Sequence, residues 1–333
     1  MPVRLDMKEG LKAELHSWHW EASEKLYPKL KPIYKKICDV HDIDEIIGPY
    51  WKDTSAIGAT ELLDVTPSGQ SQEDKPIEGY PVYALIKEKS LKVKCPRNLK
   101  RDWHRTKDWL KDYVQKNWPK AVEVTKDKII TALFNNGGLT AGHSVFNNDD
   151  ADANLTTYTN PLLCYDAAPM FNRSDNTRTA KNGSTYYNGT ALANITYANA
   201  LTMWKLYTDT NAYMENGNPF DNTQDIVIMA KQSLVPDWTI VNESTLNPDN
   251  ANNPKNPLKG VFKDVIANPY LTTANFSCMI QEQCQGLIYF LGGPQFDFWV
   301  RNDPEVYYAK VIVDHAEAMR NFRFMVGNNA PLA

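Results

Sequence analysis

The chain has 333 residues, 42% of them hydrophobic, a formal net charge of −4 and a mean hydropathy of −0.50. That suffices for one large domain or two ordinary ones, and no apolar run approaches the ~18 residues of a membrane span. Five scattered cysteines, Cys38, Cys95, Cys164, Cys278 and Cys284, speak for reduced thiols in a cytosolic protein rather than a disulfide framework.

Residues 8–26 set Leu11, Leu15, Trp18, Ala22 and Leu26 at three-to-four spacing, which predicts an amphipathic helix. Pro28 and Pro32 interrupt it, and "IYKKIC" reads as a short second helix. The opening "MPVRLDMKEGLKAEL" lacks the apolar stretch of a secretory leader. On that expectation the seven Asn-x-Ser/Thr sequons are chance matches in an Asn- and Thr-rich chain. "HSWH" (16–19) and "CDVH" (38–41) put His16, His19, Cys38 and His41 in two pairs of the kind a tetrahedral zinc site uses. Small zinc modules hold their ligands in tight turns, however, not on helices separated by two prolines. Histidines and a thiol on an interaction arm are the favoured account.

The run "ATELLDVTPSGQSQEDKPIEGYPVYALIKEKSLKVKC" predicts two strands, 59–66 and 80–95, flanking a polar tip. Within it "IKEKSLKVK" (86–94) alternates charged and apolar residues as a half-exposed strand does. At the usual rise the second strand would reach about 50 Å. Residues 98–134 form the longest helical pattern, with Trp103, Leu110, Tyr113, Val114, Trp118, Val122, Ile129, Ala132 and Leu133 on one face. Pro119 is expected to kink it or to split it into two collinear pieces, and "NNGG" (135–138) to stop it. Its length would be about 55 Å. A compact globule of this size is only roughly 50 Å across. A hairpin and a helix that long cannot both be wrapped inside it, so at least one projects and needs a partner for its edges and apolar stripe.

Charge follows the same division. Residues 87–128 hold 14 basic and 6 acidic residues, a net of +8, whereas 135–333 carry a net of −7. The strip is either a solvated helix face or a surface for nucleic acid or a neighbour's acidic half.

Residues 139–190 are polar and turn-rich. Asp150, Asp152 and Asn154 match the first positions of a calcium loop, but Leu155 stands where glycine is needed and Pro161 where glutamate is needed. "ALANITYANALTMWKLYTDTNAYMENGNPF" predicts a helix ending in a turn, "DIVIMA" a buried strand, and "PDWTIVNES" a second helix or turn. After a Pro/Asn loop (247–258), "GVFKDVIANPYL", "FSCMIQEQC" and "GLIYFLGG" read as three strands. "EVYYAKVIVDHAEAMRNFRFMVG" reads as extended, with Val311, Val313 and His315 facing one way, against a competing helix over "VDHAEAM".

Phosphate-loop, dinucleotide, nucleophile-elbow and zinc-protease motifs are all missing. No catalytic, cofactor-binding or metal-binding residue is assigned, and an enzyme is not expected. Nine tryptophans leave open an extracellular Asn/Trp-rich carbohydrate-binding protein or hydrolase, although Trp103, Trp109 and Trp118 sit in a helix pattern.

The order of arm, long hairpin and long basic helix resembles the major capsid proteins of tailed bacteriophages, in particular phage-Mu-like head subunits. "AAPMFNRS" (167–174) is similar to the turn after their spine helix. "ANALTMWKLYTDTNAYMENGNPF" followed by "DIVIMAKQSLVPDW" is similar to their helix, turn and strand. "KGVFKDVIANPYLT" and "FWVRNDPEVYYAKVIVDHAEAMRNFRFMVG" resemble later strands. The resemblance lies in segment order over nearly the whole chain rather than in any single motif. It implies an α+β chain with the tailed-phage/herpesvirus-type capsid fold: an N-arm (1–48), an extended loop (49–97), a peripheral domain with spine helix (98–200 and 300–333) and an axial domain (201–299). It further implies hexamers and pentamers of an icosahedral head enclosing double-stranded DNA, assembled in the host cytoplasm. The expected partners are the chain itself, a scaffold protein, a portal, a decoration or cement protein and the packaged DNA, contacted without sequence specificity; no membrane is involved. The scaffold is expected as a separate or cleaved protein, because the arm begins at once. Some members crosslink a loop lysine to a neighbour's asparagine; Lys75 lies near the loop tip, but a lysine there usually has no such role.

Overall fold

The computed structural model describes residues 3–26, 31–56, 78–94, 103–138, 164, 166, 168–180, 183–192, 194–214, 217–219, 221–247, 254–302 and 305–329. In chain order the helices are α1 (Val3–Leu26), α2 (Tyr34–Ile37), α3 (Trp103–Asn135), α4 (Tyr197–Lys205) and α5 (Val235–Glu243). The arm and hairpin contribute strands β1 (Asp39–Asp42), β2 (Tyr50–Ala56), β3 (Glu78–Leu85) and β4 (Lys87–Lys94). Short strands β5 (Arg178–Thr179), β6 (Thr185–Tyr186) and β7 (Gly189–Thr190) follow α3. The rest are β8 (Ile226–Lys231), β9 (Asp264–Asn268), β10 (Ser277–Gln281), β11 (Leu287–Leu291), β12 (Gln295–Asn302), β13 (Glu305–Met319) and β14 (Met325–Asn328).

Two five-stranded sheets carry the fold. The first is built on β13, whose 15 residues pair with β11 and β12 along one side and with β4 along the other, while β1 joins β11 in parallel. β11 and β12 lie end to end, and the register against β13 slips by one residue across Gly292–Pro294. That slip moves the inward set from Leu287 and Tyr289 to Phe296 and Phe298.

The second sheet has the order β7-β14-β10-β8-β9. It is buried on both faces, so β8 reads as an unbroken apolar run. Ile226, Ile228, Ala230, Met279 and Val326 pack under α4 and α5. Val227, Met229, Cys278, Ile280 and Met325 face the opposite core, with Ile130, Leu133 and Phe134 of α3.

α3 joins the two halves. Its first turns place Leu110, Val114, Trp118 and Val122 over the first sheet beside Leu11, Leu15 and Trp18 of α1. Its last turns enter the core under the second sheet. Pro119 is buried within a helix that continues to Asn135 as one element, and Ala132, expected on the apolar face, is exposed.

The predicted hairpin is corrected in its second half. An unexpected strand, Tyr50–Ala56, precedes the expected strand at 59–66, which lies outside the described residues. The expected single strand 80–95 is two. β3 pairs with β2, then Ile86 donates its N–H to Pro49 O (3.3 Å) and breaks the pattern, and β4 takes β13 as its partner. The break exchanges faces: even-numbered Val82 and Ala84 are buried in β3, odd-numbered Val93 in β4. The competing helix over "VDHAEAM" does not form, because this segment is the centre of the first sheet, paired with β11 and β4.

Candidate assembly interface

The arm is tied to α3 by buried polar groups. Asp127 accepts the N–H groups of Ile33 (2.9 Å) and Tyr34 (3.1 Å), the start of α2, which has no side-chain cap of its own. The Tyr34 hydroxyl donates to Glu123 (3.2 Å), and Lys126 donates to the same carboxylate (2.9 Å). Burial pushes the Asp127 carboxyl up to about 6 against the two N–H donors. Nearby His19 is lowered to about 4 by burial and by the charge of Lys126. Its Nδ1 lies 3.3 Å from the hydroxyl of Ser23.

The four residues weighed as zinc ligands do not share one environment. His16 and His19 pack on Phe296 of β12, at ring separations of 5.9 and 5.2 Å. Cys38 is buried in the core beneath α3. His41 lies 3.1 Å from both Asp39 and Glu45. Burial alone would lower its pKa, but the two carboxylates outweigh that and raise it. Among the described residues, no group of three His, Cys, Asp or Glu side chains is placed to hold a metal ion. The described cysteines, Cys38, Cys164, Cys278 and Cys284, are free and buried. The candidate calcium loop and Lys75 lie outside the described residues.

Two sequon asparagines prove structural. Asn188 is fully buried; it accepts from Asn172 N (3.0 Å) and donates to Met170 O (2.9 Å) and Phe322 O (3.3 Å). Asn172 is buried beside it. Several tryptophans are packing residues too: Trp118 and Trp238 have no exposed surface and Trp18 is buried, whereas Trp20 is mostly exposed.

The basic strip is not one surface. In α3, Lys107 pairs with Glu14 (2.6 Å), Lys116 with Asp112 (2.7 Å) and Lys126 with Glu123 (2.9 Å). The lysines of β4 stand on the outer strand of the first sheet, and Lys92 and Lys94 point away from the helices. No partner strand covers the outer edge of β4 among the described residues. Lysines on such an edge deter unregistered pairing.

Solved structures decide the fold. A chain from Mycobacterium phage Patience matches over 97% of this chain and 89% of its own, with a TM-score of 0.55 and 9% identity. The chain has the tailed-phage capsid fold. The capsid of the cyanophage P-SCSP1u matches over 91% of this chain and 89% of its own, at TM-score 0.52 and 10% identity. The capsid of Ralstonia phage GP4 matches over 90% of each chain, at TM-score 0.50 and 11% identity. No protein-family model and no curated protein sequence matches.

Proposed function

We propose that this chain is the major capsid protein of a tailed-phage head, assembling into hexamers and pentamers of an icosahedral shell around double-stranded DNA. The observation that carries the reading is the fold match over nearly the whole chain. An arm, a hairpin and a Lys-rich open edge on one subunit are features that many weak, repeated contacts would use. No helix among the described residues is long and apolar enough to cross a membrane.

On this reading the role is structural rather than enzymatic, the location is the virion, and assembly takes place in the host cytoplasm. A scaffold, a portal and a decoration protein are its further partners. The division into arm (1–48), extended loop (49–97), peripheral domain (98–200 and 300–333) and axial domain (201–299) belongs to the same proposal. So does the nearer kinship with phage-Mu-like head subunits, which rests on segment order. Sedimentation velocity of the purified chain, alone and with a co-expressed scaffold, tests the reading. Hexamers, pentamers or larger closed species support it; a monomer in both preparations over the accessible concentration range overturns it.

A further inference from the structure

α4 does not end as an α-helix. Over Leu206–Thr210 its turn widens to a π-helical one, and Asn211 donates its N–H to Leu206 O (3.1 Å). In an α-helix that N–H would go to Tyr207 O. The Tyr207 carbonyl is taken instead by the side chain of Asn222, whose Nδ2 donates to it at 2.7 Å. The wide turn thus sets two carboxamides at one helix end, the second from the segment that leads into β8. Asn211 and Asn222 are buried, at 0% and 1% exposure. Among the described residues none bonds Asn211 Oδ1, Asn211 Nδ2 or Asn222 Oδ1. Nor does any bond the hydroxyl of Tyr207, which is fully buried in the same turn. Burial, and after it the charges that Cys284, Cys278 and Asp221 can carry, keep that hydroxyl protonated well above the usual tyrosine range. The Asp221 carboxylate itself is exposed and accepts from Thr223 and Gln224.

Each polar atom buried without a hydrogen bond costs stability. Four of them at one turn would cancel a large share of the net stability of a domain. The chemistry of the set selects what can satisfy it. Asn211 Nδ2 offers donors, the two Oδ1 atoms are acceptors, and the Tyr207 hydroxyl is either. No charged side chain is buried with them. A cation would meet the Asn211 N–H donors and an anion the two Oδ1 atoms, whereas water both donates and accepts. We propose that the π-helical end of α4 is an internal hydration site, in which water bonded to the Asn211 and Asn222 carboxamides is a fixed part of the fold. The widened turn supplies the place: it moves the Asn211 N–H off Tyr207 O and lets Asn222 in. The walls are otherwise apolar, with Met203, Leu206, Ile226 and Phe262 in the same core, so such water has few other partners and stays long. The inference concerns the single folded subunit and is independent of the shell reading.

The test joins a map of the full-length chain that resolves ordered solvent, from crystals or from assembled particles, to melting curves of the parent and N211L. Leucine is close to asparagine in size and removes both unpartnered atoms of Asn211. Around bound water it strips partners from the water and leaves Asn222 Oδ1 stranded, so the melting temperature should fall by several degrees. At a dry site it removes only unsatisfied groups, and the melting temperature should rise or stay. The expected result is density for water within hydrogen-bond distance of both carboxamides, together with a lower melting temperature for N211L. A map in which Asn211 and Asn222 bond to each other or to other protein groups, with no water between, overturns the proposal. So does N211L melting at or above the parent. A parent melting temperature that follows potassium or sodium at constant ionic strength assigns the site to a cation and overturns it too. If N211L does not fold, the map of the parent decides alone.

Discussion

Asp127 stands at the point where α2 meets α3, and its two backbone donors come from residues more than 90 positions earlier. Asp127→Ala leaves both buried N–H groups without that acceptor, so it is expected to cost about 1–3 kcal/mol; Asp127→Asn, which keeps an oxygen, is expected to cost less. Chemical denaturation of both variants checks the order. pH gives a second handle. A folded-state value of about 6 for Asp127 lies above the ordinary carboxyl range. Its stabilising share is therefore complete below about pH 4 and is lost as pH rises through 6. His19, held at about 4, acts the other way: its share is complete above about 6.5 and is lost as pH falls through 4. The two oppose each other between pH 6.5 and 4, each on the order of 2–3 kcal/mol. His19→Gln is expected to flatten the acid-side loss and Asp127→Asn to steepen it, read as denaturation midpoints at pH 4.5 and 7. Nothing in the sequence displays this cluster, because its members lie on segments separated by some ninety residues of chain.

Among the elements, those with a strong local period are legible in the sequence. The apolar stripe of α3 and the unbroken run of β8 leave little choice, since one has helical spacing and the other is a short strand buried on both faces. Breaks in register are not legible. Ile86 has no turn chemistry, so 80–95 reads as one strand until two different partners, β2 and β13, are seen to divide it. The "VDHAEAM" ambiguity has the same origin. Ala316 and Ala318 are small because the hairpin base presses on them, and His315 and Glu317 are buried as a pair 2.7 Å apart on the opposite face. The turn that closes this region is equally constrained. A side chain on Gly286 would run into the carbonyl of Asn321, whose own N–H, with that of Arg320, is bonded to Gly286 O. Gly286→Ala is expected to destabilise by at least about 3 kcal/mol or to yield insoluble protein. Asn188→Ala should cost a similar amount, since it strands several buried groups at once. Thermal melts of the two variants against the parent test both expectations.

At the scale of the whole molecule, the conflict between element lengths and globule size already pointed outwards. A helix of 33 residues is long for a compact body. The structure places that helix across two cores. The fold match then gives those features a common setting. The basic strip 87–128 is conspicuous in the sequence, but its division between a helix with paired lysines and a lysine-bearing sheet face appears only once β4 is seen beside β13. If contacts between subunits are charge-set, raising salt from 0.05 to 0.5 M shortens the screening length from roughly 14 to 4 Å and is expected to lower the assembled fraction several-fold by light scattering. The most direct measurement is negative-stain electron microscopy of the purified chain, alone and with a scaffold protein. The account predicts closed shells, or five- and six-fold rings; dispersed single subunits in both preparations would contradict it.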